Sequence, residues 1–290
     1  MKNYFILLLV FSIIAGSKIQ TNIEFKSGKI NTGDANIYYI EEGSEDTTLF
    51  FLHGWGINSN YWLNQMDYFS KKYKTVAIDL AGFGKSISAR KDYTVEKYAE
   101  DVIDIINKLD LKNVILIGHS MSGDISLETT LINNKSIIGI VGIDNFKFVG
   151  NELNPEQLKE MNSFIDTLKK DYKNEAPEYA EKYLFSSSTD TLVRKMVKND
   201  YRNSNPEAAV SSIEDVFKYD EMKKLPNLNY KLYLINSDGM PTNKDGLKKY
   251  CENSFEVLDI HGTGHFPMVE KPDDFNRLLQ KVIFEIGAAN

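Results

Sequence analysis

The chain has 290 residues, 42% of them hydrophobic, which is enough for one large domain with a substantial buried core. Acidic residues outnumber basic ones 41 to 34, for a formal charge of −7, and no Lys/Arg tract is present to track a phosphate backbone, so nucleic acid is not an expected partner. The single cysteine, Cys251, excludes an intramolecular disulfide or a thiolate-rich metal site, and the four histidines, His53, His119, His261 and His265, form no HExxH-type pair.

In chain order, Lys2 precedes an uncharged apolar run from Tyr4 to Ala15 and then the small residues Ala15-Gly16-Ser17, the order of a signal peptide cut ahead of Lys18. Residues 1–17 are therefore expected to direct export to a secreted or periplasmic location, and their removal takes the formal charge from −7 to −8 because Lys2 is lost. The run is shorter than the ~20 residues that span hydrocarbon, so stable membrane insertion is not expected after cleavage. The alternative is an uncleaved N-terminal anchor.

Short β-rich runs then alternate with helical ones, the pattern of a mostly parallel α/β sheet with helices on both faces. Ile37 to Ile40, Thr48 to Leu52 and Lys74 to Ile78 read as strands, with a helix over Asn58 to Ser70. Thr94 is a plausible N-cap for a helix to Leu109 whose apolar residues recur at helical spacing from Val95 to Ile106. Val114 to Ile117 is an apolar, β-branched run suited to a strand buried on both faces. A helix opens near Met121, and Ile137 to Ile143 resumes the sheet.

Over residues 146–229 the alternation stops and amphipathic helical patterns follow one another. Two open on Asn-Pro, at Asn154-Pro155 and Asn205-Pro206, and the first places Leu158, Met161, Phe164, Ile165 and Leu168 on one face. Strand patterns return at Lys231 to Ile235 and Phe255 to Ile260, and a helix over Pro272 to Ile286 closes the chain. The expected organisation is a core of residues 18–145 and 230–290 with a helical insertion at 146–229.

Three segments carry chemistry. Gly118-His119-Ser120-Met121-Ser122 lies between a buried strand and a helix, a sharp turn that lifts the Ser120 hydroxyl above the sheet and aims helix N-terminal amides at developing negative charge. His53-Gly54-Trp55-Gly56 ends another strand; its backbone can approach an oxyanion, and the two expected donors are the N–H groups of Trp55 and Met121. A serine nucleophile needs a neutral imidazole to take its proton. His261 and His265, in the glycine-bearing loop His261-Gly262-Thr263-Gly264-His265, both suit that role. Gly82-Phe83-Gly84-Lys85-Ser86 ends like a phosphate-binding loop, but Asp79 stands where that motif requires glycine.

Together these motifs resemble the α/β-hydrolase superfamily over essentially everything after residue 25. His53-Gly54-Trp55 resembles its oxyanion motif, Asp79 to Ser86 its D-x-x-G-x-G-x-S segment, and Gly118 to Ser122 its nucleophile elbow, with Ser122 where glycine usually stands. Gly264-His265-Phe266, with Glu270 and Pro272 downstream, resembles the segment bearing the catalytic histidine, which selects His265. The resemblance implies an acid after the strand that follows the helical insertion, hence Asp238, with Asp144 at the preceding strand end as its rival. It also implies a helical cap formed by residues 146–229, whose Phe164, Tyr179, Tyr183, Phe185, Phe217 and Tyr219 are candidates for an acyl pocket.

The expectation is an esterase-like serine hydrolase acting on a small molecule through an acyl-enzyme, with Ser120, His265 and Asp238 as triad and no cofactor or metal. Lactones, thioesters and carbon–carbon bonds are alternative substrates, perhydrolase or haloperoxidase-like chemistry an alternative activity, and a slow-turnover ligand receptor an alternative role.

Overall fold

The structure, a computed structural model, describes residues 25–132 and 135–289, so the expected signal peptide at 1–17 lies outside the described residues. The strands are β1 (Lys26–Asn31), β2 (Ala35–Glu42), β3 (Thr48–Leu52), β4 (Lys74–Ile78), β5 (Ile87–Ser88), β6 (Val114–His119), β7 (Ile137–Ile143), β8 (Leu232–Ser237) and β9 (Phe255–Ile260). They form one sheet in the order β1-β2-β4-β3-β6-β7-β8-β9, with β5 beside β2. Pairing is parallel from β4 through to β9, whereas β1, β2 and β5 are antiparallel additions at one edge. The central strands read as unbroken apolar runs because helices cover both faces, and every residue of β3, β6 and β8 is buried.

The helices are α1 (Leu63–Phe69), α2 (Val95–Lys108), α3 (Ser122–Leu131), α4 (Pro155–Tyr183), α5 (Thr191–Asn203), α6 (Pro206–Val216), α7 (Glu221–Lys224), α8 (Lys244–Tyr250), α9 (Pro267–Glu270) and α10 (Pro272–Ala289). Thr94 caps α2 by accepting the Lys97 N–H at 3.2 Å. Asn154 opens α4 with a capping box, accepting from Glu156 and Gln157 while Gln157 accepts the Asn154 N–H. Helix α4 breaks at Asp171, where φ is −150° and ψ 62°. Ile165 and Leu168 of its apolar face are buried, but Leu158 is exposed, so its first turns project beyond the packed part of the molecule.

Helices α4 to α7 occupy the stretch between β7 and β8, and among the described residues no strand interrupts it. They join the sheet through specific bonds. The Trp55 indole donates to the Ala209 carbonyl of α6 at 2.7 Å and meets the rings of Tyr172 and Tyr201 edge-on, and Asp215 accepts the Val95 N–H at the start of α2 at 2.8 Å.

Strand order reverses between β3 and β6: the chain passes from β3 outward to β4, then returns to build β6 to β9 on the other side. The carboxyl ends of strands at such a switch point are where open α/β sheets leave a crevice for ligands. His53-Gly54 and His119-Ser120 leave the sheet there.

Candidate active site

Ser120 follows β6 with φ +52°, left-handed backbone that L side chains rarely adopt, so the turn before α3 is sharp and strained. Its N–H donates to the Ile143 carbonyl at 2.9 Å, and its carbonyl accepts from Gly123 at 2.8 Å. Gly118 is needed for that crossing, because a Cβ there would lie 2.1 Å from the Ser122 carbonyl. Ser122 hydrogen-bonds the His53 carbonyl through its hydroxyl, tying the elbow to the neighbouring loop.

A Cβ on Gly54 would sit 2.6 Å from His119 Nδ1 and 3.1 Å from Ser120 Cβ, so this loop lies against the serine turn as closely as backbone can. Among the described residues neither the Trp55 nor the Met121 N–H is taken by a hydrogen bond. Asp79 accepts the N–H groups of Ser59 and Lys85, both at 2.7 Å, and Ser86 Oγ donates to the Asp79 carbonyl. The glycine-lysine-serine segment is thus closed around a carboxylate rather than open to a phosphate.

The four histidines separate by environment. His53 is fully buried and donates from Nδ1 to the Gly54 carbonyl at 2.7 Å, with Nε2 accepting the Leu80 N–H at 2.9 Å; burial holds it below the usual histidine value. His119 is also buried and donates from Nε2 to the His265 carbonyl at 2.7 Å. Its ring is pushed down to about 3, first by burial and then by the neighbouring His265, so it is a neutral prop. His261 is mostly exposed. His265 lines a cavity of about 340 Å³ together with Ser120.

The His265 loop is held on several sides. Its N–H donates to the Leu184 carbonyl after α4 at 2.8 Å. Glu270 accepts the N–H groups of Gly264 and Phe266, on either side of the histidine, at 2.9 and 3.1 Å.

Asp144 Oδ2 lies 2.6 Å from His265 Nδ1, and the Asp144 side chain is only 4% exposed. Asp144 Oδ1 accepts the Ser237 N–H at 2.8 Å and lies 2.7 Å from Lys147 Nζ. Burial pushes this carboxyl up, but the hydrogen bond and charge of His265, reinforced by Lys147, overcome it and hold Asp144 below the usual carboxylate range. Such a group supports folding above its unfolded value near 4, and that support is lost only as pH falls towards the lower folded value.

The expectation for Asp238 is corrected by this geometry. Strand β8 continues two residues past Ile235 and, through the Ser237 N–H, holds Asp144 beside the histidine. Asp238 is carried beyond the sheet edge, where it meets the exposed ring of His261 at 3.0 Å and accepts the Gly262 N–H at 3.2 Å. It does not touch His265.

Two contributors escaped sequence reasoning. Asn145 donates to the Gly118 and Ser120 carbonyls at 3.3 and 3.2 Å, filling a notch where a Cβ on Gly123 or Gly142 would collide with it. Lys147 is buried beside Asp144, and its only sequence signal is a lysine between Phe146 and Phe148.

Of the aromatic candidates for the cavity wall, Tyr179, Tyr183, Phe185 and Phe217 line it. Phe164 instead stacks on Tyr179 at 4.6 Å between centroids, and Tyr219 donates to Glu128 at 2.8 Å. A larger surface groove of about 750 Å³, between Lys91 to Thr94 and helices α4 and α6, contains none of the serine or histidine residues of the motifs. Among the described residues no group of three His, Cys, Asp or Glu is placed to hold a metal ion, and no helix is long and apolar enough to cross a membrane.

Asp124 and Glu221 also line the cavity. Burial raises both carboxyls, and the proximity of Glu221 raises Asp124 further. A carboxyl held up in the fold but free to ionise in the unfolded chain opposes folding increasingly as pH rises above about 4. Asp124→Asn should therefore raise the melting temperature more at pH 8 than at pH 5; an equal change at both would show that Asp124 folds without this penalty.

This chain is similar to a non-heme chloroperoxidase of Streptomyces lividans, with 36% identity over 99 residues, 33% of this chain and 36% of that protein. It thus spans only about a third of that relative's length. Similarity to a pimeloyl-[acyl-carrier protein] methyl ester esterase of Wigglesworthia glossinidia brevipalpis is longer, 28% identity over 195 residues, covering 66% of this chain and 71% of that protein. Among solved structures, a thermophilic esterase from Thermogutta terrifontis superposes with a TM-score of 0.77 at 17% identity, over 90% of this chain and 99% of that one, a likeness of fold. The model of the alpha/beta hydrolase fold family matches residues 47–272. With the reversed strand order, the serine turn after β6 and the histidine loop after β9 all within that span, the chain belongs to the α/β-hydrolase fold family.

Proposed function

We propose that this protein is a serine hydrolase that cleaves an ester-like bond of a small molecule through an acyl-enzyme. The observation that carries the reading is the buried 2.6 Å contact between Asp144 and His265 Nδ1 in the cavity that Ser120 lines. With Nδ1–H directed to the carboxylate, Nε2 is left as the base. Ser120 Oγ attacks the carbonyl carbon as its proton passes to His265, and the oxyanion is met by the N–H groups of Trp55 and Met121. The alcohol leaves with the proton from His265. Water then gives a proton to His265 and attacks the acyl carbon, releasing the acid and restoring Ser120.

Helices α4 to α7 act in this reading as a cap, with Tyr179, Tyr183, Phe185 and Phe217 forming an apolar acyl wall. A cavity of about 340 Å³ is near the lower end of the ~300–1,000 Å³ common for ligand sites. Short-chain p-nitrophenyl esters should therefore be turned over faster than long-chain ones. Negligible steady-state turnover across short and long esters would contradict hydrolysis and favour a slow-turnover ligand receptor.

A further inference from the structure

Lys147 has no role in the mechanism above, yet its ammonium is buried within reach of three acceptors. Nζ lies 2.7 Å from Asp144 Oδ1 and 3.0 Å from both the carbonyl and the hydroxyl of Ser237. These match its three donors. The lysine and the aspartate are each 4% exposed. A buried ion pair is poor evidence for stability, because its desolvation offsets most of the attraction. The reason for a cation at this position is more naturally sought in what Asp144 does.

The carboxylate is shared between two edges. Oδ1 takes the Ser237 N–H and Lys147, and Oδ2 takes His265 Nδ1. The lysine thereby fixes the plane in which Asp144 meets the imidazole. It also places a positive charge behind the carboxylate, which helps to keep that acid ionised.

We propose that Lys147 is a positioning residue for the Asp144–His265 pair, holding the acid in the orientation in which its free edge meets the imidazole. This rests on the serine-hydrolase reading above. Other titratable groups near the pair include His119 on β6, already a neutral prop, Glu270 on α9, which holds the histidine loop, and Tyr179, Tyr183, Asp124 and Glu221 of the cavity lining. Lys147 is the cation in contact with the acid.

The test is the rate at which a fluorophosphonate probe labels the full-length protein at neutral pH, a readout that needs no knowledge of the substrate. Lys147→Met should lower the plateau rate on the order of tenfold, within the range for residues sharing one hydrogen-bond network. Lys147→Gln retains a donor to hold the acid, and should recover most of the lost rate.

In an Asp144→Asn background neither lysine substitution should lower the rate further, because the group that Lys147 positions is gone. Equal losses in both backgrounds, or a Lys147→Gln loss as large as that of Lys147→Met, would show a purely structural lysine and overturn the proposal. If Lys147→Met alone does not fold, Lys147→Gln and the double variant, which removes both charges, give the same comparison. A wild-type protein left unlabelled would overturn the serine-hydrolase reading and this role with it. A labelled wild type with unresponsive lysine variants would overturn the role alone.

Discussion

Asp144→Asn should lower kcat on a p-nitrophenyl ester by about 10⁴-fold, the loss seen when the orienting aspartate of a serine protease becomes asparagine, while Asp238→Asn should leave kcat close to that of the unchanged protein. Asparagine keeps the size of the side chain, but it can present an N–H to His265 and turn the ring into the wrong tautomer, with the proton on the nitrogen that must act as base. Because Asp144 also takes Ser237 N–H and Lys147, the variant should melt at a lower temperature as well. Activity must therefore be compared well below that melt. Asp238 meets only the exposed His261–Gly262 turn, and an exposed pair of this kind contributes little to stability. An active Asp144→Asn with an inactive Asp238→Asn would require the triad to rearrange.

The second large effect is expected at Gly54. Alanine there would bring a methyl group to 2.6 Å from His119 Nδ1 and 3.1 Å from Ser120 Cβ. The His119 ring cannot swing aside, because its Nε2 holds the His265 carbonyl and its faces pack near the rings of His265 and Phe266 at 4.7 and 5.4 Å. The loop must move instead, carrying the Trp55 N–H away from the oxyanion. Loss of one such donor costs about 10²–10³ in kcat. Gly54→Ala should show a loss of that order with KM changed much less. A wild-type kcat in a folded Gly54→Ala protein would remove this loop from the oxyanion site.

Much of this arrangement was legible in the residues. The buried strands β3 and β6 announce themselves as apolar runs, and each ends in a glycine-bearing motif whose function depends on close backbone approach. The edge strand β1 was missed because Lys26–Asn31 is largely polar and half exposed, so no apolar alternation marks it. The expectation that Asp238 meets His265 fails for a different reason. Asp144 and Asp238 both follow strands that end at the same side of the sheet, and local sequence does not say which strand runs further.

The deciding facts are non-local: two added residues in β8, an N–H from Ser237, and the left-handed backbone at Asp144, with φ +50°, that turns it towards His265. Asn145 was illegible in the same way. Its role depends on glycines at 123 and 142, on different elements, leaving one shared notch. Ser122, a departure from the glycine of the resembling motif, proves to bond the His53 carbonyl, so the substitution adds a link between elbow and loop.

The central claim is that Ser120 is a nucleophile activated by His265, and the most direct measurement is the site of covalent capture by a fluorophosphonate at neutral pH, mapped by mass spectrometry. A serine hydroxyl reacts fast only beside a base and oxyanion donors. The account predicts label on Ser120 alone, abolished in Ser120→Ala with the fold retained. Label on Ser122 or Ser86, or label that persists in Ser120→Ala, would contradict it.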